Sequence, residues 1–159
     1  MKMRALGLFL VFLVATFHCA AADDNCFPAS HEQAKAMALK AAAHLQKVGP
    51  ERAFRDFQDP EGAFFAADLY VFVVDFDGNM WVNGAFPAAA GSNALGARDR
   101  QGRPYIQQIL QAAKREGGEG WIQYEWLNPC TGDFMEKNTY FKRVGEFVVA
   151  VGTYGSLKS

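Results

Sequence analysis

The sequence predicts an α+β domain in which a five-stranded antiparallel sheet is covered by helices, one of them a long N-terminal helix. Three observations support this fold class. Apolar residues recur at helical spacing behind a helix-start signal at residues 30–33. After Leu69 the pattern changes to β-rich runs with an Asp77-Gly78 turn. The links between the runs are short, which favours antiparallel pairing because parallel strands need long crossovers.

The helices are expected in three segments, each with start and stop signals. Ser30 and Gln33 have the spacing of a capping box, and Gly49 before Pro50 stops the first helix. A proline at the start of a helix costs no hydrogen bond, so Pro104 can open the last one. The expected helices lie within residues 30–49, 50–57 and 104–117.

The strands are expected in five segments rich in β-branched and aromatic residues. A turn-rich link at residues 128–133 separates the third from the fourth, and Gly145-Glu146 joins the last two in a tight hairpin. The expected strands are residues 69–74, 80–84, 121–126, 137–144 and 147–154.

The first 22 residues have the features of a cleaved secretory signal peptide. Lys2 and Arg4 give a basic start, an apolar run of about 13 residues follows, and small residues precede Asp23. The run is shorter than the roughly 20 apolar residues that span a membrane. We therefore predict cleavage after Ala22, a periplasmic or secreted protein, and no stable membrane insertion of the mature chain. The alternative is a lipoprotein acylated at Cys19.

The mature chain is expected to be a flexible leader, residues 23–29, followed by a single domain, residues 30–156. Without Lys2 and Arg4 it has 14 basic and 17 acidic residues, a net charge of −3. This balance argues against nucleic acid as a partner. The aromatic content of 14% is high, and such side chains can form a core, line a pocket, or do both.

Cys26 and Cys130 are the two cysteines of the mature chain. An even pair in an oxidising compartment favours a disulfide. The alternatives are two unrelated thiols, or a bridge from Cys26 to another chain.

Several segments together resemble one known family. They are the Ala-rich first helix, residues 54–64, residues 68–75 with the Asp77-Gly78 turn, and residues 102–106, 120–129 and 151–154. With these segments the chain resembles the single-Cache family, the PAS-like extracellular sensor domains of bacteria, and in particular the stand-alone exported members of its second subtype. The resemblance implies a PAS/Cache-like sheet. It also implies a small-molecule ligand, commonly an organic acid, amine or amino acid, held between the sheet and its covering layer.

The chain departs from the family pattern in the second strand. Members often have a His-Gly pair there, followed by Asn-Pro. Here Asn83 replaces the histidine and Phe86 replaces the asparagine. A ligand contact of that histidine therefore cannot be carried over.

Strand alternation suggests which residues could wall a ligand pocket. Side chains two apart in a strand share a face, but alternation alone does not say which face is covered. Lys142 is expected to pair with a ligand carboxylate, and Arg103 is the alternative cation for this role. The competing interpretation is that Lys142 is solvent-exposed. The proposed wall groups Tyr70, Phe72, Asn83, Tyr124, Trp126, Tyr140 and Lys142.

The residues do not point to an enzyme. His31 and His44 lie 13 apart on one helix, which does not place two metal ligands on one turn. We find no nucleophile with a base, no phosphate loop and no cofactor motif, so no metal and no cofactor is expected. The predicted function is extracytoplasmic binding or sensing of a small molecule, in particular a small organic acid, and the domain is expected to act through a membrane receptor or kinase partner. The alternative is a non-binding structural or interaction domain with a filled core.

Overall fold

The computed structural model describes residues 27–115 and 117–154. The predicted signal peptide and Cys26 lie outside these residues. The described part contains three α-helices, a short 3₁₀ turn at Pro87–Ala89, and six strands. The helices are α1 (His31–Val48), α2 (Pro50–Phe57) and α3 (Tyr105–Ala113). The strands are β1 (Phe65–Ala66), β2 (Leu69–Asp75), β3 (Met80–Asn83), β4 (Glu119–Leu127), β5 (Phe134–Val144) and β6 (Phe147–Thr153).

The strands form one antiparallel sheet in the order β1-β2-β6-β5-β4, and β3 also pairs with β2. The predicted α+β class and all five predicted strands are confirmed, with ends shifted by up to three residues. The strand β1 was not predicted, because two residues are too few to give an alternating pattern. A bulge between Val73 and Val74 makes Trp81 an extra residue in β3.

The predicted capping box begins α1. The backbone N–H of Gln33 donates to the Ser30 hydroxyl over 3.2 Å, and the Ser30 N–H donates to the Gln33 side chain over 2.7 Å. None of the helices within the described residues is long and apolar enough to cross a bilayer.

The sheet has a packed layer on each side. On the α1 face, α1 and α2 lie against aliphatic side chains of β2 and β6, among them Val71, Val73 and Val151. On the α3 face, α3 and the segment before it cover Tyr70, Phe72 and other aromatic residues. The α3 face therefore carries most of the polar-tipped aromatic side chains.

Candidate functional site

A small cavity lies between the α3 face of the sheet and α3. Its volume is about 10 Å³, roughly the room that the centre of one water molecule needs. The cavity is therefore nearly filled by the side chains around it. Its walls come from β2, β3, β4, β5 and α3, and the lining residues are Tyr70, Phe72, Met80, Asn83, Tyr105, Ile106, Tyr124, Trp126 and Lys137.

Lys137 of β5 is the cation of this cavity. The residue is 1% exposed, and its side-chain nitrogen Nζ donates to the Tyr70 hydroxyl over 2.7 Å. The same atom lies 3.9 Å from the centre of the Tyr70 ring and 5.2 Å from that of Tyr154. Burial lowers the pKa of Lys137 well below its ordinary value, and the charge of Asp68 opposes this shift only in part.

Gly152 makes room for the Lys137 side chain. Thr139 of β5 pairs directly with Gly152 of β6. A Cβ atom at Gly152 would lie 2.3 Å from Cε of Lys137 and 2.4 Å from the Thr139 hydroxyl oxygen. Only glycine therefore fits at this position without moving the lysine.

Three tyrosine hydroxyls surround the lysine side of the cavity. The Tyr154 hydroxyl donates to the Leu127 carbonyl oxygen over 2.8 Å and lies 3.4 Å from that of Tyr70. The Thr139 hydroxyl donates to that of Tyr124 over 3.1 Å. Burial raises the pKa of Tyr70 and of Tyr124 far above the usual value, so both stay neutral and offer hydrogen bonds.

Aromatic rings close the cavity on the side of α3. Tyr105 stacks on Tyr124 with ring centres 4.4 Å apart and planes at 16°. It also contacts Trp126, with ring centres 5.3 Å apart. Phe86, from the segment between β3 and α3, meets the Trp126 ring edge-on at 6.2 Å. The cover is therefore made of rings that pack on each other.

An ion pair holds the start of α3 to the edge of the sheet. The Asp99 side chain is fully buried and accepts hydrogen bonds from the backbone N–H of Glu125 over 3.1 Å and from the Arg103 guanidinium. Arg103 also contacts Glu136 at 3.2 Å. Burial acts to raise the pKa of Asp99, but the N–H donors and Arg103 outweigh it and lower the pKa to about 2. Asp99 is therefore a structural anion.

The structure brings together five of the eight residues predicted to contact a ligand: Tyr70, Phe72, Asn83, Tyr124 and Trp126. Whether they bind a ligand stays a prediction. Arg103 does not line the cavity, since it pairs with Asp99 and Glu136.

The placement of Tyr140 and Lys142 on the same wall was wrong. Tyr140 pairs with Val151, which pairs with Val71, and all three face α1. Lys142 shares the parity of Tyr140 and forms an ion pair with Glu119 at 2.7 Å near the surface. The reason is that alternation divides the side chains of one strand between the two faces of the sheet. It does not say which of these faces carries the pocket residues of the neighbouring strands, because that depends on the pairing register.

The lining residues that sequence reasoning missed are Met80, Tyr105, Ile106 and Lys137. Tyr105 and Ile106 lie in the first turn of α3 and are buried against the sheet. The signal for Lys137 was Gly152, because a glycine inside a β-strand often marks the close approach of another group.

Other predicted features have separate places. His44 pairs with Asp56 at 2.8 Å between α1 and α2, while the His31 ring contacts that of Trp121 at a tilt of 56°, with ring centres 5.1 Å apart. In the described part of the chain, no three His, Cys, Asp or Glu residues lie close enough to hold a metal ion. Cys130 is disulfide-bonded. Its pairing with Cys26 stays a prediction, since Cys26 is outside the described residues.

Residues 30–158 match the family model described as Single Cache domain 2. Over 89 residues the chain is 33% identical to the sensor histidine kinase MctS of Rhizobium johnstonii. That match covers 56% of this chain and 19% of the kinase. The chain thus spans about a fifth of the curated relative that it matches.

Solved structures share the fold. A methyl-accepting chemotaxis protein from Vibrio parahaemolyticus superposes with a TM-score of 0.67 at 18% identity, over 77% of this chain and 86% of that one. A periplasmic sensor domain of a chemotaxis protein gives 0.60 at 19% identity, over 79% and 90%. A Cache chemosensory domain described for carboxylic acid recognition gives 0.62 at 16% identity, over 79% and 88%.

Proposed function

Because this chain belongs to the single Cache domain 2 family, we propose that it is an extracytoplasmic sensor domain that binds a small organic acid beneath α3. In this proposal Lys137 pairs with the ligand carboxylate, and the hydroxyl of Tyr70 adds a neutral hydrogen bond. The domain has no catalytic role and passes its state to a membrane-bound partner.

The observation that carries this proposal is the buried lysine. An ammonium group that leaves water loses several kcal/mol of hydration unless another charge compensates it. In the described part of the chain, the ion pairs do not include Lys137. A ligand carboxylate would supply the missing charge, and a hydrogen bond between charged groups contributes roughly 1.5–3 kcal/mol.

The cavity lining favours an anion over an amine or an amino acid. The lining residues contain one cation and no carboxylate, so a ligand ammonium group would have no counter-ion there. The aromatic walls suit a short apolar chain attached to the carboxylate. The Cache domain described for carboxylic acid recognition supports the same ligand class.

Binding requires the cover to move. A cavity of about 10 Å³ holds one water molecule and not an organic acid. The mobile part in this proposal is the layer formed by α3 and the segment that carries Phe86, since the other walls are strands held in the hydrogen-bonded sheet. A ligand that displaces this layer changes the surface that a partner can contact, and so binding becomes a signal.

Thermal unfolding with added small acids tests the proposal. We expect acetate, propionate or lactate to raise the unfolding free energy by about 2.7 kcal/mol at 100 times its dissociation constant. Methylamine and glycine should give no shift. Lys137→Met should abolish the shift without loss of fold, because methionine has a similar length and needs no counter-ion. Lys142→Met is the matched control on the same strand and should keep the shift.

The small volume of the cavity favours one competing function, a structural domain with a filled core. This alternative predicts that no acid changes the melting temperature of the protein. If the shift in melting temperature persists in Lys137→Met but disappears in Lys142→Met, Lys142 and not Lys137 binds the carboxylate.

The partner in the proposal is a membrane receptor or a kinase. The support is that the matched relative is a sensor histidine kinase and that two of the solved neighbours belong to chemotaxis proteins. Export by the predicted signal peptide would place the domain on the side of the membrane where such sensors meet their ligands. N-terminal sequencing of the protein from its periplasm or medium tests this, and a chain that starts at Met1 would contradict cleavage.

A further inference from the structure

We propose that the carboxylate binds together with one proton, which converts Lys137 from the neutral amine to the ammonium ion. This inference rests on the proposed function, because it concerns the same cavity and the same ligand class. It goes beyond that function in making the domain respond to pH as well as to the acid.

The groups packed around the amine are mostly neutral. Tyr70 of β2 accepts its hydrogen bond, and Tyr154, which follows β6, lies beside it. Tyr124 of β4 and Tyr105 of α3 also line the cavity. Burial raises the pKa of each of these four tyrosines, so none of them supplies a negative charge near neutral pH. From β3, the facing polar group is Asn83, an uncharged amide.

Asp68 is the anionic group that acts on Lys137 from the start of β2. Its carboxylate is already occupied, however. One oxygen accepts the backbone N–H of Ala29 over 2.9 Å, and the other accepts that of Tyr154 over 3.1 Å. Asp68 therefore contributes its charge from a distance and forms no ion pair with Lys137.

The hydrogen bonds of Nζ agree with a neutral amine. An ammonium ion has three N–H donors, and here the Tyr70 hydroxyl is the acceptor within the described residues. An amine has two N–H donors and, unlike an ammonium ion, carries no charge that needs a counter-ion. The ring centres of Tyr70, Phe72 and Tyr154 lie 3.9, 5.6 and 5.2 Å from Nζ and attract a cation, but they do not accept the remaining N–H groups as an oxygen would. The ligand-free cavity thus stores the lysine uncharged, in agreement with its lowered pKa.

The balance of the binding step follows from these contacts. The carboxylate enters as an anion, one proton comes from solvent, and the bound state is an ammonium–carboxylate pair with no net change of charge in the cavity. The carboxylate favours the charged lysine, so its pKa is higher in the complex than in the free domain. Between these two pKa values, the dissociation constant rises tenfold for each unit of pH.

Calorimetric titration of the full chain with acetate and with propionate measures the proton directly. At pH 8.0, the binding heat in phosphate is compared with that in Tris, whose ionisation heats differ. We expect a difference that corresponds to the uptake of close to one proton per bound carboxylate, and a tenfold weaker affinity at pH 9.0. Binding with no proton uptake and no pH dependence overturns this inference and leaves the proposed function intact. If neither acid binds, the proposed function fails and this inference fails with it.

A ligand-free measurement tests the state of the lysine independently. The quantity to compare is the ratio of two unfolding equilibrium constants, that of the wild type divided by that of Lys137→Met. This ratio should fall tenfold per pH unit as the pH rises towards about 10.4, the pKa of lysine in the unfolded chain. The sign follows because the unfolded chain binds a proton that the folded one does not. The same ratio with Lys142→Met should stay constant. A constant ratio for Lys137→Met would show a charged lysine and would overturn the inference.

Discussion

The two faces of the sheet are built from different side chains, although the same central strands supply both. On the α1 face, valines of β2 and β6 meet alanines of α1 such as Ala34 and Ala38, which let the helix approach closely. On the α3 face, the neighbouring positions of the same strands carry Tyr70 and Phe72. The part of the α1 face that β2 and β6 form is therefore apolar, while the α3 face combines rings, hydroxyls and a buried lysine.

Under the proposed function, this difference separates stability from binding within one sheet. Apolar burial is non-directional and grows with the area removed from water, so the α1 face can stabilise the fold without any specific polar contact. The α3 face buries polar groups that cost free energy unless they are paired. Lys137 is the extreme case, since it is fully buried with one neutral hydrogen-bond partner. A cost of this kind is retained where it serves a function.

The largest expected effect comes from a change on the α1 face. Phe57 is fully buried in α2 and packs edge-on against Phe64 with ring centres 4.8 Å apart. Phe57→Ala should lower the unfolding free energy by about 3–5 kcal/mol and leave the affinity for acetate within twofold. Trp126→Ala, on the α3 face, should do the reverse, with a smaller loss of stability and a loss of binding. Chemical denaturation and calorimetry measure the two quantities. Equal effects of both variants on affinity would break the comparison.

An intermediate effect is expected at Gly152, where the α3 face is most tightly constrained. Gly152→Ala places a methyl group on Lys137 and Thr139, which must then move. Overpacking of this kind costs roughly 1–3 kcal/mol, and we expect at least a tenfold loss of acetate affinity. Gly96→Ala is the control, because a Cβ there meets open space. A Gly152→Ala variant with unchanged affinity would show that the position of the lysine does not matter.

The smallest effect concerns the anchor of the cover. Asp99 has a pKa of about 2, below its unfolded value near 3.9, so its contribution is complete above pH 4 and is lost as the pH falls towards 2. Asp99→Asn should cost about 2 kcal/mol at pH 7, because each unit by which the pKa is lowered corresponds to about 1.4 kcal/mol of stabilisation of the charged carboxylate. The cost should vanish near pH 2. Urea unfolding at several pH values measures it, with Asp133→Asn as an exposed control. A cost that persists at pH 2 would mean that the charge of Asp99 is unimportant.

The sequence predicted most of the fold because its signals are local. The capping box at Ser30, the Gly49-Pro50 stop and the Asp77-Gly78 turn depend on neighbours within a few residues, and each is present as expected. The family resemblance rested on the same kind of short segment. The site was predicted less well, because it depends on how strands pair. Alternation placed Tyr140 with Tyr70, whereas the pairing of β5 with β6 and β2 puts them on opposite faces.

The order of residues by itself determined the three helices and five of the six strands with their approximate ends, the fold class and the family resemblance. It also determined which side chains of each strand share a face, since that follows from the period of two. Only the tertiary structure decided that Lys137, and not Lys142, is the buried lysine, and that side chains nearly fill the cavity. The physical reason is that burial and charge pairing depend on contacts between residues far apart in the chain, such as Lys137 with Tyr70.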